Sequence, residues 1–134
     1  MKLLPKSKVV LKESNFDAVA TSRHHSYRVD TIEKKGGNDL GPSPVEYFLS
    51  GIASCVAITI RMYADKMKWN LGKITVEVSE KTELTKDGVK KTLFEKISFE
   101  NKVTEEQLRL LKEVSDKCPV AQMVKTETII IKTI

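Results

Sequence analysis

The chain has 134 residues, 40% of them hydrophobic and 31% charged, which suits a single domain spanning residues 1–134 with a packed core and excludes global disorder. The net charge of +5 comes from 23 Lys and Arg scattered among 18 Asp and Glu, with 6% aromatics. That pattern marks a solvated surface and argues against nucleic-acid binding, which needs clustered cations with aromatics between them. The longest uncharged apolar run, between Glu46 and Arg61, is too short and too rich in Gly, Ser and Thr to span a bilayer, and MKLLPKSK lacks the apolar stretch of a secretory signal. The expectation is a soluble cytoplasmic protein with no membrane and no nucleic acid among its partners.

Residues 7–13 (SKVVLKE) read as a first strand, followed by a turn at Ser14-Asn15. Phe16, Ala18 and Ala20 alternate with polar neighbours, as do Tyr27, Val29 and Thr31, giving a second and a third strand. The segment EKKGGNDLGPSP, residues 33–44, is loop by composition, with three of the six glycines and two of the four prolines. Helix one has a clear start: Ser43 as N-cap, Pro44 in the first helical position and Glu46 closing a capping box. It is predicted to run to about Trp69, where Asn70 and Gly72 offer stop signals, a length of nearly 40 Å at ~1.5 Å per residue. From Tyr47 to Ile60 it is apolar or small on every face. Such a helix must be surrounded, and the strands of one short chain can cover one side only, so a second subunit is expected on the other.

Ile74, Val76 and Val78 form a fourth strand, turning near Asp87-Gly88 into a fifth with Leu93, Ile97 and Phe99 on one face. Helix two starts at Thr104 with Gln107 closing a second capping box, carries Leu108, Leu111, Val114 and Cys118 at helical spacing, and stops at Pro119. A short helical turn, PVAQMVK, and a last strand, TETIIIKTI (residues 126–134), complete the chain. The order βββ–α–ββ–α–β predicts an α+β fold with mostly antiparallel sheet around a buried helix.

Two cysteines and two histidines, with no metal-ligand spacing between them, make a zinc site improbable. Cys55 lies in the middle of helix one among Phe48, Gly51, Ile52, Ile58, Thr59 and Met62. This apolar setting disfavours a thiolate unless a cation approaches, and by itself reads as that of an inert core thiol. Cys118 precedes Pro119 and can act as N-cap of the short turn, where amides and the helix dipole favour a thiolate; a cysteine ending a helix by chance reads equally well. The capping box already explains Glu46, which stands nine residues from Cys55, about 180° around the helix and ~13 Å along it. Arg23, His24 and His25 form a basic cluster that reads as a solvated hairpin tip; Arg28, within a strand, is a second candidate cation, and Arg61 lies about 120° from Cys55 on the helix.

With these residues in place, the sequence resembles the OsmC/Ohr family over essentially its full length, most clearly in GPSPVEYFLSGIASC (residues 41–55) and CPVAQM (residues 118–123). The resemblance implies an OsmC-like fold in an intertwined homodimer, with sheets of both chains wrapped around two long central helices. It also implies a thiol peroxidase acting on organic hydroperoxides in oxidative-stress defence. Cys55 would be the peroxidatic residue and Cys118 the resolving one, with an N-terminal Arg, for which Arg23 is the nearest match, activating the thiolate. The family's characterised hydroperoxide reductases carry a Glu directly after the motif's Pro; Val45 stands there in this chain and Glu46 follows. An external dithiol would reduce the Cys55–Cys118 disulfide, and no metal or organic cofactor is required. Phe48 and Ile52 would line an apolar substrate pocket. The alternative is a non-enzymatic dimer of the same fold that binds an apolar small molecule or senses redox state.

Overall fold

The computed structural model describes residues 4–126 and 129–134. It groups the chain into two compact units, Met1–Phe48 and Leu49–Ile134, whose boundary falls within a long helix.

In the N-terminal unit, β1 (Lys8–Leu11), β2 (Ala18–Ser22) and β3 (His25–Val29) form an antiparallel sheet in the order β1-β2-β3. The β1–β2 turn falls at the expected place, with Asn15 at φ 70°, a left-handed conformation that Asn tolerates well. The second strand lies two residues later than the alternation suggests, because Phe16 belongs to the bend before it. Ala18 and Ala20 face inward and are buried. The β2–β3 turn is a two-residue loop, Arg23-His24, closed by the Ser22–His25 pair.

The glycine-rich loop is ordered by one residue. Asp30 is buried, its Oδ1 accepting the Thr31 N–H (2.7 Å) and its Oδ2 those of Asn38 (3.3 Å) and Leu40 (3.1 Å). The Asp30 N–H in turn donates to the Pro42 carbonyl at 3.2 Å. Gly37 is obligatory in this wrap, since a Cβ there would stand 2.0 Å from the Thr31 oxygen. The loop thus delivers Ser43 to the start of α1 (Pro44–Lys66). There the capping box closes as expected: Glu46 N–H to Ser43 Oγ at 3.2 Å and Ser43 N–H to Glu46 Oε1 at 3.0 Å.

α1 ends three residues earlier than its stop signals suggest. Lys68 takes a left-handed conformation (φ 59°), and Trp69 N–H to Ala64 O with Lys68 N–H to Asp65 O completes a Schellman motif without glycine. By length and composition the 23-residue helix is long and apolar enough to cross a membrane, contrary to the count of its uncharged run. Its Ile52, Val56, Ile60 and Ala64, at four-residue spacing, are instead packed in the core with Leu71, Leu111, Cys118 and Ala121.

In the C-terminal unit β4 (Ile74–Thr85) and β5 (Gly88–Phe99) form an antiparallel hairpin. It turns at Lys86-Asp87, with Gly88 at φ 120°. Ile74, Val76, Val78, Leu93, Ile97 and Phe99 pack against the buried cluster. α2 (Glu105–Ser115) carries the predicted capping box between Thr104 and Gln107, but ends at Ser115, so Cys118 lies beyond it. α3 (Pro119–Lys125) is the short helix read from PVAQMVK. The last predicted strand is not found among the described residues. Two of its positions, 127 and 128, lie outside them, and Ile129–Ile134 has no regular structure and is exposed. Among the described residues the sheet of this unit consists of β4 and β5, and the final segment pairs with neither.

Removal of the buried Asp30 carboxylate leaves the part-buried amides of Thr31, Asn38 and Leu40 without this acceptor. Asp30→Ala is therefore expected to destabilise the protein by roughly 2–5 kcal/mol in a denaturant titration, with Asp30→Asn losing less because one amide oxygen still accepts.

Candidate functional site

The two thiols come from segments 63 positions apart in the sequence and meet in the core of the C-terminal unit. Cys118 is fully buried, and Cys55, half-buried on α1, packs against the cluster that contains it. Cys118 is the N-cap of α3, with an extended backbone (φ −64°, ψ 144°), and its Sγ accepts the Ala121 N–H at 3.2 Å. The capping role expected from Pro119 is thus present.

The field at Cys118 is a contest. Burial pushes its thiol upward from the ordinary value, against the pull of the Ala121 N–H, and the neighbouring Cys55 and the charge of Glu95 push it further up. Burial is the largest influence, so Cys118 stays protonated at neutral pH despite its cap. Glu95 was not singled out in the sequence. Its signal was there: an acidic residue at the inward register of β5, between Leu93 and Ile97.

Beside the thiols lies a cavity of about 410 Å³ with an apolar floor of Ile52, Leu93, Ala121 and Val124 and a charged rim of Lys91, Glu95, Asp116 and Lys125. On the rim Lys125 pairs with Asp116 at 2.7 Å, while Lys91 pairs with Glu80 outside it at 3.0 Å. Ile52 lines this cavity. Phe48 is half-exposed. It shares one stripe of α1 with Gly51, Cys55, Ile58 and Met62, alternating at three- and four-residue spacing. Ile58 and Met62 are exposed, and a Cβ on Gly51 would meet nothing within 4 Å. On this stripe Gly51 and Cys55 are half-buried, while Phe48, Ile58 and Met62 are exposed.

The remaining candidates lie in the N-terminal unit. The Glu46 carboxylate is committed to its capping box, and its bonds from Ser43 lower its pKa. Arg28 grips the buried Asp17, Nε to Oδ1 at 3.0 Å and Nη2 to Oδ2 at 3.2 Å, with Lys12 joining at 3.2 Å. The Arg28 guanidinium, aided by Lys12, holds the Asp17 carboxyl below its usual range even though burial opposes this. Arg28 is therefore a committed structural cation. Arg23 stands at the hairpin tip in a left-handed conformation, φ 55°, and makes no ion pair among the described residues. Arg61, back in the C-terminal unit, is engaged by the Gly72 carbonyl. Among the described residues no three His, Cys, Asp or Glu side chains gather as metal ligands.

The family described as OsmC-like protein matches residues 36–133. No curated protein matches the sequence. Among solved structures, an OsmC-like protein of Mycoplasma pneumoniae is 21% identical, with 96% of this chain and 92% of that one covered and a TM-score of 0.72. An OsmC-like protein of unknown function from Vibrio cholerae is 15% identical over 94% and 96%, with a TM-score of 0.74. The organic hydroperoxide resistance protein OhrB of Bacillus subtilis is 15% identical over 93% of each chain, with a TM-score of 0.64.

The burial difference predicts the order of thiol modification. In the native protein iodoacetamide should alkylate Cys55 first. Cys118 should follow slowly, its rate rising about tenfold per pH unit through and beyond the ordinary thiol range, because only its thiolate reacts. Peptide mass mapping checks both residues; equal labelling at pH 7 would contradict the contrast.

Proposed function

The chain belongs to the OsmC-like family, and on that premise we propose that it is a two-cysteine thiol peroxidase for organic hydroperoxides, acting in oxidative-stress defence in the cytoplasm. The observation that carries this reading is the packing of Cys55, the more exposed thiol, against the buried Cys118. The Cys55 thiolate attacks the peroxide oxygen, the O–O bond breaks, and the alcohol leaves as Cys55 becomes a sulfenic acid. Cys118 then attacks that sulfur, water departs, and a disulfide forms. An external dithiol returns both residues to thiols. The apolar floor around Ile52 favours alkyl hydroperoxides over hydrogen peroxide, with Phe48 on the same α1 stripe as Cys55.

Fast attack needs a thiolate and hence a nearby cation. Arg23 is the cation proposed for this task. It has no ion-pair partner among the described residues and is held at a turn position where an L-residue is strained by about 1–2 kcal/mol. Glu46, ionised in its capping box, is proposed to steady that guanidinium from the other subunit. Members of the family are commonly dimeric, and a homodimer here is supported by the apolar stripe Phe48–Gly51–Cys55–Ile58–Met62, which is exposed at Phe48, Ile58 and Met62.

With one equivalent of cumene hydroperoxide the wild-type protein should lose both thiols. Cys118→Ser should accumulate a dimedone-reactive sulfenic acid on Cys55, and Cys55→Ser should consume no peroxide rapidly. Unchanged thiols in the wild type would favour the non-enzymatic binding protein instead.

Arg23→Gly separates charge from fold. It should stabilise the protein by up to about 1 kcal/mol by relieving the turn, and yet slow Cys55 oxidation tenfold or more. Unaltered oxidation kinetics would remove Arg23 from the mechanism. Sedimentation at low micromolar concentration should give a dimer whose dissociation accompanies unfolding; a folded monomer would refute the shared core.

A further inference from the structure

α3 has seven residues, too few to hold a helix by its own hydrogen bonds. It is held by the turn that precedes it. The Ala121 N–H donates to Cys118 Sγ at 3.2 Å and the Gln122 N–H to the Cys118 carbonyl at 3.0 Å. Gln122 Nε2 donates to the Asp116 carbonyl at 2.8 Å, and Lys125 Nζ pairs with Asp116 Oδ1 at 2.7 Å. The last two bonds are exposed and exchange readily with water. The first is buried, and its acceptor is the sulfur of a residue that packs beside a second thiol.

That arrangement poses a problem for turnover. A dithiol that attacks at Cys118, so that Cys55 leaves, must reach the Cys118 sulfur along the S–S axis, and Cys118 has no solvent exposure. We infer that α3 is a redox-released latch: bonding of Cys118 to Cys55 withdraws the cap from the Ala121 N–H, loosens α3 and opens the Cys118 sulfur to the reductant. The inference rests on the peroxidase reading and adds a moving part to it. The chemistry balances. An organic hydroperoxide takes two electrons from Cys55 to give an alcohol and the sulfenic acid, and condensation with the Cys118 thiol releases one water. A dithiol then supplies two electrons and two protons, becomes a disulfide itself, and restores both thiols and the cap. The direction follows from bond geometry: Cys118 Sγ accepts the Ala121 N–H while its side chain is free to turn toward α3, whereas a sulfur bonded to Cys55 must turn toward that partner and away from the amide.

Amide exchange followed by mass spectrometry tests the latch, comparing α3 with α2 in the same molecule. In wild-type protein oxidised by one equivalent of cumene hydroperoxide, α3 should exchange roughly fivefold faster than in the reduced protein, the opening expected for a lost N-cap, while α2 keeps its protection. In reduced protein, Cys118→Ala should reproduce the fast exchange without oxidant. Cys118→Ser, whose hydroxyl also caps, should match the reduced wild type. A confirmed disulfide with unchanged α3 exchange overturns the latch and leaves the peroxidase reading intact. Failure to form any disulfide sinks both. Equal exchange in Cys118→Ala and Cys118→Ser shows that the sulfur does not hold α3 and overturns the latch independently of the oxidation.

Discussion

A long apolar helix packed along one face, with Ile58 and Met62 left exposed on another, is the constraint from which the rest of the C-terminal unit follows. Ile52, Val56 and Ile60 are the anchors, each fully buried side chain being worth about 2 kcal/mol. Leu71, Leu111 and Ala121 close over that face, and the inward residues of β4 and β5 flank it. Because four-residue spacing fixes which face is covered, it also fixes which face is left over. Cys55 lies between the two. It is close enough to the covered side to pack against Cys118, yet it belongs to the stripe of Phe48, Ile58 and Met62 that remains bare. A thiol in that position is half-buried, with a second thiol of its own chain beside it.

The two thiols are not equivalent, and burial makes them so. Position at a helix N-terminus is the usual device for lowering a thiol pKa, and Cys118 has it in the form of the Ala121 N–H. Desolvation outweighs that bond, and Glu95 adds a like-charge penalty to any thiolate. Helix-end geometry alone therefore misjudges the ionisation of Cys118, because it leaves out the burial.

The sequence made local features legible where a backbone bond has a side-chain signature. Both capping boxes, Ser43 with Glu46 and Thr104 with Gln107, formed as spelled out, as did the cysteine cap before Pro119 and the turn before Gly88. Features set by long-range contacts were not legible. Asp30 looks like one more polar residue beside a glycine-rich loop, yet it organises the loop through amides eight and ten positions away. Lys68 carries no sign of the left-handed conformation it adopts, because the Schellman bonds and the Tyr63–Trp69 edge contact impose it. The final apolar segment has the composition of a strand, yet residues 129–134 are exposed and join no sheet among the described residues, and strand propensity is a preference for a packed surface more than for a backbone shape.

The same distinction decides between the two arginines. By sequence, Arg23 at the hairpin tip is the first candidate cation and Arg28, within the third strand, the second. In three dimensions the field of Arg28 is cancelled at short range by Asp17, whose two carboxylate oxygens it occupies, and that pair also stabilises the sheet. A guanidinium so engaged could serve a thiolate only by uncovering a buried carboxylate, which is costly. Arg23 gives up nothing by moving. It sits at the tip of a two-residue turn where glycine would be the more stable choice, and it makes no ion pair among the described residues. The fold thus commits one arginine to a buried carboxylate and holds the other in a strained backbone position at an exposed turn.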